Sequence, residues 1–355
     1  MNGSNFGKAF QITTFGESHG KALGVVIQGC PPGLAIDPAM IQAALDKRKP
    51  GQGPASTKRK EPDVPVILSG TFEGKTTGTP IAILIENKDA KSSSYADIAD
   101  IFRPGHGDFT YFQKYGIRDY RGGGRASARE TAARVAAGAV AQLVLAPYDI
   151  SIQSYTLALG GIFAQTFDEA FIDQNPFQTT DPEAAKAMEK RVKQVKEEGD
   201  SLGGIVEIAA QNVPAGLGDP VFDKLDGDIA KAMMSIGAVK AVEIGAGIQA
   251  AGLKGSENND SMSPDGFHSN NAGGILAGIS NGEEIIVRVH IKPIPSILKP
   301  QETLNENGKP TTISTKGRHD ICAIPRINKV CEAMLALVLT DHLLRQKCQG
   351  PVRPE

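Results

Sequence analysis

The chain contains no tryptophan, and aromatic residues make up only 5% of it. This scarcity argues against a surface on which the bases of a single-stranded nucleic acid would stack. The formal net charge of −2 likewise gives no global electrostatic reason to expect binding to DNA or to a membrane. We therefore expect a small molecule as the partner, with no nucleic acid and no membrane involved.

Cysteine is also scarce, since the chain has only Cys30, Cys322, Cys331 and Cys348. Four scattered cysteines do not form a disulfide framework or a zinc site, so we expect no metal and a reducing compartment. Residues 1–10 lack an apolar signal core, and no apolar run approaches the length of a membrane span. We therefore expect a cytoplasmic protein.

Basic residues are present but unevenly placed. Positions 47–60 carry six Lys and Arg residues and no acid. Positions 103–134 carry seven, against only Asp108, Asp119 and Glu130. Local positive charge in a nearly neutral protein suits a small polyanion better than a long nucleic acid. The alternative interpretation is ordinary surface charge in contact with solvent.

Local signals predict four helices and four strands. The Asp-Pro pairs at 37–38 and 181–182 place an N-cap before a first-turn proline, which predicts helices to about Lys47 and to the stop at Gly199. Hydrophobic periodicity predicts two more helices and the strands. These further helices cover about 223–234 and 326–346, and the strands cover 64–69, 81–86, 205–210 and 285–291.

Two pairs of segments resemble each other. Residues 24–38 are similar to 204–220, and residues 68–87 are similar to 276–293. Chance could explain the similarity, but a true repeat predicts two similar antiparallel sheet-and-helix halves, near 10–90 and 200–295. We therefore predict an α+β fold, an α/β sandwich with two sheets packed around a helical core. It would form a single domain over 1–347, with a disordered tail at 348–355.

Three stretches rich in Ser, Asn, Asp and Gly read as loops. They cover residues 88–105, 254–272 and 300–317. Loops of this length in a compact protein tend to cover active sites or to form mobile surface.

The stretch DYRGGGRASARETAARVAAG at 119–138 places three arginines where a glycine run meets a helix. Ser127 and Glu130 have the spacing of a capping box. That motif does not explain Arg121, Arg125 or Arg129, because a helix start already carries partial positive charge. Backbone N–H groups at such a turn bind anions, and arginines add bidentate recognition of phosphate or carboxylate. We therefore predict an anion site here.

Other loops carry further chemistry. Glycines flank His19 in TTFGESHGKALG and His106 in RPGHGD. Arg318, His319 and Asp320 are adjacent in TKGRHD, and a lysine follows a strand in HIKPIPS. Taken singly, each has an ordinary interpretation: an exposed loop histidine, a surface ion pair or a solvated lysine.

Taken together, the segments FGESHG, RPGHGD, YRGGGRASARETAARVAAGA, SNNAGGILAGISNGE and TKGRHD resemble the signature segments of the chorismate synthase family, in order and across nearly the whole chain. The resemblance implies a trans-1,4 elimination of phosphate from 5-enolpyruvylshikimate 3-phosphate, giving chorismate. It also implies a need for reduced FMN although the reaction has no net redox change. A homotetramer and an external flavin reductase are implied as well, with NADPH acting only indirectly.

The resemblance also implies roles for individual residues. His19 would protonate the leaving phosphate, His106 would protonate or hydrogen-bond the reduced flavin, and Asp320 would assist proton removal. Ser18 and Ser127 would support these groups by hydrogen bonding. The candidates for binding the substrate are Arg48, Arg125, Arg129 and Arg134. The candidates for binding FMN are Arg125, Ala126, Ser127, Gly237, Ala238, Ala277, Lys292, Pro293, Ile294, Pro295, Ser296 and Arg318.

The chain departs from the family pattern at two positions. Pro54 stands where many members carry an arginine, which puts a pyridine-nucleotide contact there in doubt. Ala277 replaces the usual glycine and would crowd the flavin slightly. The chain also lacks the large insertions of bifunctional members, so a monofunctional enzyme is expected.

Two alternatives compete with the enzyme. A non-catalytic module that binds a phosphometabolite or flavin would need only the glycine-arginine stretch, whereas His19 and His106 favour catalysis. An RNA-binding protein would use the basic stretches, but low aromatic content and near-zero net charge oppose it.

Overall fold

A computed structural model describes residues 3–49, 53–56, 61–88, 98–315 and 319–349. Within these ranges the chain forms seven α-helices. They are α1 (Pro38–Arg48), α2 (Asp108–Tyr115), α3 (Thr131–Leu145), α4 (Pro182–Glu197), α5 (Leu225–Met234), α6 (Gly255–Asn258) and α7 (Ile324–Gln349). No helix in this described part of the chain is long and apolar enough to cross a membrane.

The first half of the chain supplies one five-stranded antiparallel sheet. Its strands lie in the order β1-β2-β3-β7-β4, while β5 and β6 form a separate hairpin. Val25 pairs with Ile83, and both side chains are buried on the inner face. The seven strands are β1 (Asn5–Phe6), β2 (Gln11–Phe15), β3 (Ala22–Gln28), β4 (Pro65–Ile67), β5 (Thr71–Phe72), β6 (Lys75–Thr76) and β7 (Ile81–Glu86).

The second half supplies another five-stranded antiparallel sheet, in the order β11-β16-β10-β8-β9. Alternate residues of β16 from Ile285 to Ile291 are buried, as predicted from the sequence. The remaining strands form three small hairpins. The strands are β8 (Ser151–Leu159), β9 (Ile162–Phe163), β10 (Gly204–Gln211), β11 (Val239–Ile244), β12 (Met262–Ser263), β13 (Gly266–Phe267), β14 (Ile275–Leu276), β15 (Ile279–Ser280), β16 (Ile285–Ile291), β17 (Gln301–Leu304) and β18 (Pro310–Ile313).

A double layer of helices separates the two sheets. Helix α3 packs on β3 and β7 of the first sheet, and α7 packs on β8 and β10 of the second. The two helices also pack against each other, with α1 beside α3 and α5 beside α7. Small residues make this close contact possible: a Cβ added to Gly138 would lie 2.5 Å from Ala333 Cβ. The mixed α+β architecture predicted from the sequence is confirmed.

The helix predictions agree with the structure at both Asp-Pro pairs. Asp37 accepts a hydrogen bond from the Ala39 N–H, and Asp181 accepts from Glu183 and Ala184. The last helix is longer than predicted, because it runs on to Gln349 without a breaking residue before Gly350. The predicted disordered tail is therefore wrong for residues 348–349, and its remaining residues lie outside the described ones.

The predicted loops contain more regular structure than expected. Residues 254–272 include α6 and the β12–β13 hairpin, and residues 300–317 include the β17–β18 hairpin. Two- to four-residue strands are too short to show periodicity in a sequence, which explains why they were missed. Residues 89–97 of the third predicted loop lie outside the described residues.

Candidate active site

One cleft of about 1110 Å³ collects most of the predicted site residues. This volume is large for a small-molecule pocket. Segments from across the chain form its walls. The predicted residues that line it are Ser18, His19, Arg48, His106, Arg125, Ala126, Ser127, Arg129, Gly237, Ala238, Lys292, Ile294, Pro295, Ser296 and Asp320.

Four predicted residues are not among those that line the cleft. Arg134 donates from Nε to Glu130 Oε2 at 2.8 Å and from Nη1 to Ser235 Oγ at 2.6 Å. Ala277 sits at the turn between β14 and β15 with φ +52°, and Pro293 lines a different groove. Arg318 lies outside the described residues. Their assigned roles stay predictions.

The glycine run makes room for the turn that carries His19. Gly122, Gly123 and Gly124 all have positive φ, at 65°, 92° and 54°. A Cβ on Gly122 would lie 2.4 Å from His19 Cδ2 and 2.8 Å from Ser18 Oγ. The backbone at Gly122 therefore packs directly against these two side chains, and any larger residue would displace them and strain the positive φ.

The predicted capping box forms only in part. Ser127 Oγ accepts a hydrogen bond from the Arg129 N–H at 3.3 Å. Glu130 does not return to the backbone of Ser127 but accepts from Thr14 Oγ1 and Arg134 Nε, each at 2.8 Å. A 3₁₀ turn over Ala128–Glu130 consequently precedes α3, and Glu130 ties the helix start to β2.

Two arginines of the predicted anion site, Arg121 and Arg125, already contact protein groups. Arg121 makes a two-pronged contact with Asp119, at 2.8 Å and 3.0 Å. Arg125 donates to Thr14 Oγ1 at 2.8 Å and to the Gly16 carbonyl at 3.1 Å. Protein groups therefore orient these guanidinium groups in advance, which lowers the entropy lost on ligand binding.

Arg48 and Arg129 are buried together. Both donate to the carboxylate of Asp63, which is fully buried. Burial, followed by the nearby Arg326, lowers the pKa of Arg48 to about 10, so the side chain stays charged at neutral pH. Arg129 also donates from Nε to Asn87 Oδ1 at 2.9 Å.

His106 is held as a neutral imidazole. Its Nδ1 lies 3.1 Å from the Pro104 carbonyl oxygen, which can only accept, so Nδ1 carries the proton. Nε2 then accepts from the Ser296 hydroxyl at 3.0 Å. Burial, with a further contribution from the positive charge of Arg103, lowers the pKa of His106 to about 4.

The loop around His106 is fixed at both ends. Arg103 forms a bidentate pair with Asp108, at 2.7 Å and 2.8 Å. Burial alone would raise the pKa of Asp108, but the hydrogen bonds from Arg103 hold it below its usual range. Lys292 Nζ donates to the Gly105 carbonyl at 2.7 Å, which joins this loop to the segment after β16.

Asn87 fixes the turn that carries Ser18 and His19. Its Nδ2 donates to the carbonyl oxygens of Glu17 at 3.0 Å and Gly20 at 2.9 Å. Ser18 is only 3% exposed, and its hydroxyl has no hydrogen-bond partner among the described residues. Because a buried polar group without a partner is costly, this hydroxyl is suited to receive a ligand atom.

Asp320 lines the cleft, and two hydrogen bonds hold its carboxylate in place. Its Oδ2 accepts from Arg326 Nη1 at 2.5 Å, and its Oδ1 accepts from Ser56 Oγ at 3.3 Å. Arg326 also donates to the Arg48 carbonyl at 3.4 Å. The carboxylate is thus connected to the same helix end that carries Arg48.

Comparisons with known proteins agree on one family. The family model described as chorismate synthase matches residues 10–344. A chorismate synthase of Desulfosudis oleivorans is 66% identical over 348 residues, which make up 98% of each chain. One from Nitratidesulfovibrio vulgaris strain Hildenborough is 56% identical over 354 residues, or 100% of each chain. The chain belongs to the chorismate synthase family.

A solved structure supports the same assignment. A crystal structure titled chorismate synthase matches with a TM-score of 0.75 at 35% identity, covering 96% of this chain and 93% of that one. The family resemblance predicted from the five segments is confirmed. The reaction of this family is the elimination of phosphate from 5-enolpyruvylshikimate 3-phosphate to give chorismate, so the chain is a lyase of the shikimate pathway. The enzyme interpretation therefore replaces the binding module and the RNA-binding protein.

Sequence reasoning missed several residues of the chorismate synthase cleft and its supports. Asp63, Asn87, Arg103 and Arg326 all hold a predicted site residue or its neighbours in place. The family resemblance indicated Arg48, but no local motif marks Asp63 or Asn87. Arg103 and Asp108 lie close to His106 in the sequence, on either side of it. This spacing was the one sequence feature that could have indicated their role in holding the His106 loop.

Proposed function

We propose that the cleft holds 5-enolpyruvylshikimate 3-phosphate together with reduced FMN, and that phosphate is eliminated there. One observation carries the proposal. The same cleft is lined by groups from distant parts of the chain: His19 and His106, the buried Ser18 hydroxyl without a partner among the described residues, and the oriented Arg48, Arg125 and Arg129. Binding alone requires cations, whereas moving protons additionally requires groups such as histidine.

The residues present fit a flavin mononucleotide. The cleft has room for two ligands of this size, and a Cβ placed on Gly237 would meet nothing within 4 Å. Lys292, Ser296 and Arg125 would hold the group through charge and hydrogen bonding. When bound, reduced FMN supplies an electron-rich ring to an elimination that has no net redox change.

The arginines divide into two kinds. Arg48 retains a buried Nε–H without a partner among the described residues, and Arg125 is partly exposed at the cleft wall. These two would bind the anionic groups of the substrate directly. Arg129 uses Nε, Nη1 and Nη2 on protein acceptors, so it would act by holding its neighbours. Arg134 would act through Glu130.

Three groups would move or hold protons. His19, above the glycine run, would donate a proton to the departing phosphate, with Ser18 as a hydrogen-bonding support. Asp320 would assist removal of the proton that leaves the substrate ring. An anion beside Nε2 would raise the low pKa of His106, so His106 would hold a proton next to the reduced cofactor.

Assembly, compartment, flavin supply and domain organisation are proposed from the family. We propose a monofunctional, cytoplasmic homotetramer that receives its reduced flavin from a separate reductase, with NADPH acting only there. Residues 1–347 would form one catalytic domain whose two sheets represent two similar halves.

Anaerobic incubation with the substrate and dithionite-reduced FMN tests the proposal. We expect one phosphate released for each substrate consumed, and chorismate as the organic product. Parallel samples with oxidised FMN, or with dithionite but no flavin, should release none. A folded sample that releases no phosphate with reduced FMN would contradict the proposed function.

A further inference from the structure

One carboxylate is shared by two buried arginines. Arg48 Nη2 donates to Asp63 Oδ2 at 2.7 Å, and Arg129 Nη1 donates to Asp63 Oδ1. The side chain of Asp63 is 0% exposed, and those of Arg48 and Arg129 are 1% and 4% exposed. Each oxygen of the carboxylate therefore serves a different cation in a site that excludes solvent.

Asp63 joins two parts of the chain that are distant in sequence. Arg48 is the last residue of α1, and Arg129 lies just before α3. Asp63 itself lies between α1 and β4 with φ +49°. A residue other than glycine in this left-handed region is strained by roughly 1 kcal/mol or more, although Asp and Asn tolerate it best. The surrounding contacts hold it in this conformation.

Electrostatics explain why a carboxylate is needed. Two guanidinium groups in a desolvated site repel each other strongly, and an anion between them offsets the repulsion. Arg48 gains a second fixed point because Nη1 donates to Thr131 Oγ1 at 3.2 Å. Because both Nη atoms of Arg48 make hydrogen bonds, the orientation of its guanidinium plane is fixed. Its Nε is the nitrogen left without a partner among the described residues.

We propose that Asp63 is a positioning residue for substrate binding: it orients Arg48 so that the Nε–H edge meets an anionic group of the substrate. It also directs Arg129 toward Asn87, which holds the turn of Ser18 and His19. The inference rests on the proposed function of the cleft. Asp63 would act through these arginines, without touching the substrate or the reacting atoms.

A competing role for Asp63 makes the opposite prediction. If Asp63 merely occupied the place of the substrate anion, removing its charge would tighten substrate binding. If it served folding alone, removal would lower stability and leave the binding of the folded enzyme unchanged. Positioning predicts weaker binding in a folded enzyme.

Two substitutions test these possibilities. Asp63→Asn keeps the side-chain shape and the backbone preference but presents an NH₂ group to one arginine. Asp63→Glu keeps the charge but moves it by one methylene. We expect each to raise the KM and dissociation constant of 5-enolpyruvylshikimate 3-phosphate about tenfold or more, with kcat changed less than about threefold. The dissociation constant of FMN should stay within about twofold, because the substitutions disturb Arg48, which is proposed to bind the substrate.

Asp181→Asn is the matched control. Asp181 is also a buried aspartate, but it accepts backbone N–H groups at the start of α4 and is not among the residues that line the cleft. This variant should lose thermal stability and keep the wild-type KM. Wild-type enzyme must first release phosphate with reduced FMN; its failure would contradict the proposed function rather than the role of Asp63.

With active wild-type enzyme, three results would overturn the role of Asp63. One is unchanged substrate affinity in both Asp63 variants, and another is tighter binding in Asp63→Asn. The third is failure of both Asp63 variants to fold while Asp181→Asn folds, because the carboxylate would then serve the fold.

Discussion

Near pH 5 the side chain of His106 is neutral in the folded chain and protonated in the unfolded chain. Its pKa lies at about 4 when folded, because burial and Arg103 disfavour the charged form, and at 6.5 when exposed. Between these values the unfolded chain binds more protons. The stability contributed by neutral His106 is therefore complete above pH 6.5 and is lost as the pH falls toward 4.

A His106→Gln comparison measures this effect. Between pH 7.5 and pH 4.5 the wild type should lose more free energy of unfolding than the variant, by at most about 2.5 kcal/mol. Denaturant unfolding at both pH values gives the difference, and the other titrating groups cancel between the two proteins. Equal losses in the two proteins would show that His106 keeps its ordinary pKa.

Residues within a motif could be predicted from the sequence, and isolated partners could not. Glycines on both sides indicated His19 and His106, and the five signature segments indicated Ser18 and Asp320. Asp63 and Asn87 have no motif, and they lie 66 and 42 residues from the Arg129 that they contact. Their function depends on a buried charge arrangement that exists only after folding.

Gly138 controls how closely α3 and α7 approach. We expect Gly138→Ala to lower the free energy of unfolding by about 1–3 kcal/mol, because the added methyl overlaps Ala333. The gain of helix propensity, about 1 kcal/mol, opposes this loss only in part. Denaturant unfolding followed by circular dichroism gives the values.

Gly227→Ala in α5 is the control for helix propensity. A Cβ there would meet only Lys224 Cβ, at 3.7 Å, so this variant should be as stable as the wild type or more so. If Gly138→Ala and Gly227→Ala changed stability equally, close packing at Gly138 would not explain its presence.

Elements with strong end signals were predicted well, and elements defined by packing were not. Asp-Pro pairs located the starts of α1 and α4. Hydrophobic periodicity predicted the last helix, but it did not predict that α7 is buried on most sides, where it contacts α1, α3, α5 and the second sheet. This burial depends on tertiary contacts, which the hydrophobic periodicity of the sequence does not show.

At the scale of the whole molecule, the cleft forms because the chain topology brings segments that are distant in sequence together. Segments near residues 18, 106, 125, 294 and 320 meet although most of the chain separates the first from the last. The sequence predicted two sheets around helices, but strand order depends on long-range pairing and could not be predicted. Convergence of these segments brings the predicted arginines and histidines to one cleft.

The effect of His19→Gln on the chemical step tests this account most directly. Under anaerobic single-turnover conditions with saturating reduced FMN, we expect phosphate release to slow by about 10²–10⁴-fold. The dissociation constant of 5-enolpyruvylshikimate 3-phosphate should stay within about threefold. His290→Gln, on a surface pair with Glu243, should behave as wild type. Phosphate release at the wild-type rate by folded His19→Gln would contradict the account.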